Sequence, residues 1–124
     1  MSLKNDLFSK TAGEYTYGGR IWIDKNGKNF LGLGKIHFLE LIKQHGSMSK
    51  AASMLNMSYS KAWGMVDTMN SLARKPLVVK KTGGAGGGGA ELTEEGERVL
   101  ELYWEFSRNF ELFLLKQKEV IDQL

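Results

Sequence analysis

The 124-residue sequence predicts a mainly α fold with a small β component. Three features carry that expectation. Two serine-capped helical segments follow one another between His45 and Asn70. Two β-hairpin patterns flank them, one around Asn26-Gly27 and one around a glycine-rich stretch that ends at Gly89. A long amphipathic segment begins at Thr93.

Residues 1–14 are polar and mixed, and read as a frayed terminus or a short helix. Tyr15 to Gly19 carries no decisive pattern, so residues 1–19 are set apart as an N-terminal extension. Arg20 to Leu31, RIWIDKNGKNFL, reads as a β-hairpin. Asn26-Gly27 is its two-residue turn, because both central positions of a type I′ turn need positive φ. Centring there places Ile23 opposite Phe30 and Trp22 opposite Leu31. Such a ribbon is marginal alone and must pack on another element. Gly32 to Gln44 follows as a helix, with Ile36, Leu39 and Ile42 on one stripe and Phe38 and Leu41 widening it. Gly46 suits the left-handed position just past its end. His37 and His45 are too far apart to chelate as an i, i+4 pair, and no metal site is expected.

The stretch from His45 to Asn70 organises the chain. Ser47 caps a short helix over Met48 to Leu55, which turns Ala51, Ala52 and Leu55 to one side. Asn56 and Met57 break it. Ser58 caps a longer helix from Tyr59 to about Arg74. Ala62, Val66, Met69 and Ala73 form its buried stripe, flanked by Tyr59, Trp63 and Asn70. Ser60, Lys61, Gly64, Asp67, Thr68, Ser71 and Lys75 lie opposite. That outer face is small and polar, without an acid in its first two turns. Such a helix can enter a DNA major groove, where its N-terminal side chains reach base edges. The pattern alone also fits any αα-hairpin of a small helical protein.

Pro76 closes the helix, because proline disfavours α geometry at the residue before it. Leu77 to Lys81 is a short strand, TGGAGGGGA follows, and Ala90 to Leu92 can return as a second strand. Gly84, Gly86 and Gly89 formally satisfy GxGxxG. A dinucleotide site needs the last glycine inside a helix of a βαβ unit, and here the loop returns to a strand. A plain flexible linker is one reading. The better one is the wing of a winged helix-turn-helix, a hairpin tip beside the recognition helix. Glycines let backbone amides approach phosphates or a narrow minor groove. On that reading Gly83 to Gly89 is mobile in the free protein and ordered on DNA. The expected architecture is a winged helix-turn-helix over residues 20–92, with an N-terminal β-hairpin and a long C-terminal helix.

That last helix extends from Thr93 to Leu124, about 48 Å, with glutamates in its first turn where the dipole favours them. Val99, Tyr103, Phe106, Phe110, Phe113, Gln117, Val120 and Leu124 are spaced alternately by four and three, a heptad seam with one polar interruption. The early part packs on its own domain. Beyond Phe110 little chain remains to cover Phe113, Leu114, Val120 and Ile121. Residues 93–124 are therefore read as a dimerisation helix, with Phe106, Phe110, Phe113, Val120, Ile121 and Leu124 at a homodimer interface. The hairpin at Arg20–Leu31 is a further candidate for that interface.

Composition narrows the function. With no cysteine there is no disulfide frame, thiol nucleophile or zinc finger. No apolar run approaches a membrane span or a secretory signal, so a cytoplasmic protein is expected. Net charge is +3, distributed as +7 over residues 1–92 and −4 over residues 93–124. A basic body suits a polyanionic partner. No spaced carboxylate pair or nucleophile suggests an enzyme.

Against this background the longer runs become specific. GSMSKAA, MSYSKAW, the pair Met69-Asn70, PLV at Pro76–Val78, TGGAGGGGA and LTEEG at Leu92–Gly96 closely resemble the N-terminal domain of the molybdate-responsive ModE transcription regulators. The resemblance covers about residues 20 to 105. The GS…AA…S part is shared with LysR-type regulators. The combination of SYxxAW with PLV…TGGxGGGGAxLT is the specific part. It implies a dimeric, DNA-binding winged helix from a bacterial or archaeal transcription factor. The family's C-terminal molybdate-binding domains would need residues beyond Leu124, so molybdate sensing is not carried over, no cofactor is expected, and any effector is open.

The candidate DNA-contacting set starts with Ser47, Ser49 and Lys50 on the first helix and Ser58, Tyr59, Ser60, Lys61, Gly64 and Thr68 on the second. It continues with Lys80, Lys81, Thr82, Gly83, Gly84, Gly86, Gly87 and Gly88 on the wing. Lys61 suits a guanine or a phosphate, and Tyr59 suits base reading or packing. The function expected is sequence-specific binding of double-stranded DNA by a transcriptional regulator lacking its own sensing domain. The alternative is a winged-helix module or accessory subunit that contacts protein and has lost DNA binding.

Overall fold

The computed structural model of the chain describes residues 8–82 and 89–124. Its centre is the expected helix pair. Helix α1 (Leu33–His45) ends on Gly46, whose φ of +64° lets its N–H donate to the Ile42 carbonyl at 2.8 Å. Helices α2 (Met48–Met54) and α3 (Tyr59–Leu72) are each started by a serine whose hydroxyl accepts an orphan amide. Ser47 Oγ accepts from Lys50 N at 3.1 Å and Ser58 Oγ from Lys61 N at 3.0 Å. Asn56, at φ +53°, turns the chain between them. Helix α3 stops at Leu72 rather than near Arg74. Ala73 is already extended, and the Lys25 ammonium donates to the Leu72 carbonyl, placing a cation at the negative helix end.

Strands β5 (Val78–Lys81) and β6 (Gly89–Leu92) form the wing base, antiparallel, in register from Val78↔Leu92 to Lys81↔Gly89. Ser47 bridges to Gly89, and Ala90 N donates to Gly46 O at 3.2 Å, so the start of α2 is joined to the wing. One core gathers Ile36, Phe38, Leu39 and Ile42 of α1 with Met48, Ala51 and Ala52 of α2 and Ala62, Val66 and Met69 of α3. Leu77, Val78 and Ala90 close it from the wing, and Val99, Leu100 and Tyr103 from helix α4 (Glu94–Lys116). Thr93 starts α4, accepting from Gly96 N at 3.0 Å while donating to Pro76 O at 2.6 Å. Gly96 is required there, since a Cβ would stand 2.3 Å from the Leu77 carbonyl oxygen.

Three expectations need correction. Residues before Gly19 contain neither a frayed segment over 8–14 nor a helix there. Strands β1 (Phe8–Ala12) and β2 (Tyr15–Gly19) form a hairpin, turning at Gly13 with φ +60°. In the second hairpin, β3 (Ile23–Lys25) and β4 (Lys28–Leu31), the turn is as read but the register is not. A bulge shifts Ile23 onto Leu31, and Phe30 has no partner across the ribbon. The extra residue lets adjacent Phe30 and Leu31 both join the core cluster. Finally, the last helix is interrupted. Helix α4 ends at Lys116, Gln117 makes a tighter turn, with its N–H on the Leu114 carbonyl at 3.0 Å, and α5 (Lys118–Ile121) follows.

The first hairpin also changes what covers α4. Phe8 meets Phe110 edge to face at 5.1 Å, Lys10 pairs with Glu111, and Tyr17 Oη donates to Leu114 O at 2.7 Å. Leu114 is thus covered by its own chain, against the expectation that little chain remained for it, and Phe110, expected at a dimer interface, is half-buried under the first hairpin. No helix among the described residues is long and apolar enough to cross a membrane.

Candidate nucleic-acid interface

The outward face of α3 is built as its sequence pattern requires. Ala62, Val66 and Met69 are fully buried, so Ser60, Lys61, Gly64, Asp67 and Thr68 are turned to solvent. The hydroxyls differ in what they still offer. Ser58 Oγ accepts from Lys61 N and keeps its hydrogen to donate. Thr68 Oγ1 donates to Gly64 O at 3.0 Å, which leaves it as an acceptor. Lys50 and Lys61 are exposed, and neither has an ion-pair partner among the described residues. Tyr59, 46 % exposed, makes a T-shaped contact with Trp63, ring centres 6.4 Å apart. It therefore packs and projects at once.

Gly64 is informative because nothing among the described residues asks for it. A Cβ there would have open space. A glycine within a helix costs roughly 0.5–1 kcal/mol relative to alanine. The contrast is with Gly96, where the Leu77 carbonyl forbids a side chain.

The wing base is held to α3 by two side chains. Asn70 Oδ1 accepts from Leu77 N at 2.8 Å, and its Nδ2 donates to Val78 O at 3.0 Å. Lys80 Nζ lies 5.0 Å over the ring centre of Trp63. Lys81 Nζ stands 4.0 Å from Glu91 on the opposite strand. Lys80, Lys81 and Thr82 are exposed. Gly83, Gly84, Gly86, Gly87 and Gly88 lie outside the described residues. The structure thus joins the start of α2, the first turns of α3 and the base of the wing. Sequence reasoning assigned no role to Trp63 or Asn70. The available signal was their position, an aromatic and an amide on the flank of a buried stripe.

The acidic groups are gathered on α4. Lys43 of α1 pairs with Glu97 at 2.8 Å, and that bond raises the lysine's affinity for its proton. Arg98 holds the Glu95 carboxyl below the usual carboxylate range through a hydrogen bond of 2.7 Å. The same pair raises the arginine. Among the described residues no three His, Asp or Glu side chains gather closely enough to hold a metal ion.

The residues read as a dimer seam divide in two. Phe110 and Ile121 are half-buried, Phe110 under the first hairpin. Phe106, Phe113 (55 % exposed), Val120 and Leu124 remain open, joined by Leu102. Leu102 also lines an open groove of about 330 Å³ with Ile23, Phe30 and Ala73.

Residues 33–97 match the family described as bacterial regulatory helix-turn-helix protein, lysR family. The chain is 42 % identical over 84 residues to a protein of Azotobacter vinelandii named molybdenum transport protein ModE, covering 68 % of this chain and 31 % of that one. It is 45 % identical over 69 residues to the transcriptional regulator ModE of Yersinia pestis, covering 56 % of this chain and 26 % of that one. Over the same length it is 44 % identical to the DNA-binding transcriptional dual regulator ModE of Escherichia coli K12, with the same two shares. The chain spans 26–31 % of the length of these curated relatives.

Proposed function

The chain belongs to the bacterial regulatory helix-turn-helix proteins of the lysR family, and from that premise we propose that it binds duplex DNA sequence-specifically as a cytoplasmic transcriptional regulator. Helix α3 enters the major groove with Ser58 to Gly64 foremost, and the wing lies along the adjacent backbone. The observation that carries this reading is the outer face of α3. It is small and hydroxyl-rich, basic at Lys61, free of acids in its first two turns, and opened by Gly64, a glycine that no contact among the described residues requires. Ser60 and Lys61 offer groups to base edges. Ser49, Lys50, Lys80, Lys81 and Thr82 offer charge and hydroxyls to phosphates. No catalytic step belongs to this reading.

The active unit is a homodimer. Leu102, Phe106, Phe113, Val120 and Leu124 are exposed apolar residues along α4, α5 and the residues that follow. A second copy across a two-fold axis buries them, and the β3–β4 hairpin joins at the Leu102 groove. Two α3 helices roughly 34 Å apart then meet successive major grooves of a palindromic site. The test is binding of a labelled duplex over a range of salt. Affinity falling steeply with salt, and a preference for one sequence over random duplex, support the reading. Equal, salt-insensitive retention of all sequences contradicts it.

A further inference from the structure

We propose that Trp63 is a positioning residue, which acts by fixing Lys80 between α3 and the wing so that this lysine meets a DNA phosphate already oriented. The inference rests on the reading of α3 as the DNA-contacting helix. Trp63 lies one turn into that helix, and its ring face carries the Lys80 ammonium at 5.0 Å. Tryptophan is the strongest of the three aromatic rings for a cation. Tyr59 packs against the same side chain in a T-shaped contact, at 6.4 Å and 85°.

Two comparisons on the same surface point to the ring face as the working part. The first is the indole nitrogen. Trp63 Nε1 is buried and has no hydrogen-bond partner among the described residues. Buried polar groups are normally satisfied, and phenylalanine would fill much of this space with no orphan donor. The indole nitrogen therefore contributes nothing among the described residues, and the working part is the aromatic face under Lys80, which phenylalanine would keep in weaker form and an aliphatic side chain would lose. The second is the neighbouring lysine. Lys81 faces the carboxylate of Glu91, which offsets its charge. Lys80 faces a neutral ring, which holds the ammonium while leaving its full charge and N–H donors for an anion. The backbone beneath is fixed as well, since Asn70 ties Val78, two residues earlier, to α3. A lysine held in this way loses less rotamer freedom on binding than a free one.

The test is a double-mutant cycle on the full chain, read as affinity for a labelled duplex at fixed salt. The variants are Trp63→Leu, Lys80→Gln, both together, and Trp63→Phe. Trp63→Leu is expected to weaken binding about two- to fivefold, the size of an exposed cation–π contact. It should add nothing in the Lys80→Gln background. Trp63→Phe keeps a ring face and should retain most of the affinity. In the free protein, proton NMR should show the Lys80 ε-methylene shifted upfield by the ring, and the shift should vanish in Trp63→Leu. Equal losses from Trp63→Leu in both backgrounds would overturn the proposal while leaving DNA binding intact. So would Trp63→Phe losing as much as Trp63→Leu, or an unshifted Lys80 in the wild-type protein. Failure of the wild-type chain to bind any duplex would overturn the underlying reading instead, and this role with it.

Discussion

The carboxamide of Asn70 takes the place of a strand partner for Leu77 and Val78. Its Oδ1 accepts the two backbone N–H groups at 2.8 and 3.3 Å, and its Nδ2 donates to the Val78 carbonyl at 3.0 Å. A side chain of α3 thereby fixes where the wing leaves the domain. Asn70→Leu fills the space but orphans the Leu77 amide, which is buried with its residue. A loss of roughly 1–3 kcal/mol of stability is expected, measured by chemical denaturation. Stability within about 0.5 kcal/mol of wild type would mean that the three bonds are replaced by others.

Gly64 should separate stability from function. Gly64→Ala adds a methyl group into open space on a helix, so the fold should gain about 0.5–1 kcal/mol. On the proposed reading the same methyl group stands on the DNA-facing side of α3, so duplex affinity should fall. A variant that is more stable and binds equally well would remove Gly64 from the contact surface. Gly96→Ala is the internal control, because its Cβ meets the Leu77 carbonyl oxygen at 2.3 Å. It should destabilise by roughly 1–3 kcal/mol.

Phe113 is 55 % exposed among the open apolar residues of α4. In a dimer that buries them, Phe113→Glu places a carboxylate in the seam and should give monomers with much weaker operator binding. Sedimentation at micromolar concentration reads the outcome. A wild-type protein that is monomeric there, or a variant that stays dimeric, contradicts the seam.

Burial holds the His37 imidazole below its usual range near 6.5, against an opposing pull from Glu40. The unfolded chain therefore takes up its proton at higher pH than the folded one does. The stability this contributes is present above about 6.5 and is lost as pH falls toward the folded-state value. His37→Gln should flatten that part of the profile. Denaturation curves on either side of this window check it, and an identical slope in the variant would show that other groups set the dependence.

The helix pair was legible because its signals are local. Ser47 and Ser58 are caps in the structure as in the sequence, Gly46 is left-handed where a helix must end, and the Ala62–Val66–Met69 stripe is buried. Thr93 and its glutamates likewise announced α4. The first hairpin was harder to read, since its strands are only five residues long and its apolar partner, Phe110, lies far along the chain. Gly13, left-handed at the turn, and the strand formers Tyr15, Thr16 and Tyr17 were the local signs of it. The slip of Ile23 onto Leu31 also depends on tertiary contact, because only the core can reward turning both Phe30 and Leu31 inward. At the candidate site the sequence named the outward residues. It missed Trp63 and Asn70, whose contacts run to a strand that follows them in the chain.

The proposed function requires α3 to read duplex DNA, and selection from a randomised duplex pool tests that most directly. The full chain, wild type and Lys61→Ala, would be carried through successive rounds, and the affinities of the winning site compared. The wild-type protein is expected to enrich an inverted repeat whose half-sites lie about one helical turn apart. Lys61→Ala should bind that site more weakly by roughly 1–3 kcal/mol, with relaxed preference at one position in each half. A pool that stays random after selection, or an enriched site bound equally well by both proteins, would contradict the placing of Ser58 to Gly64 in the groove.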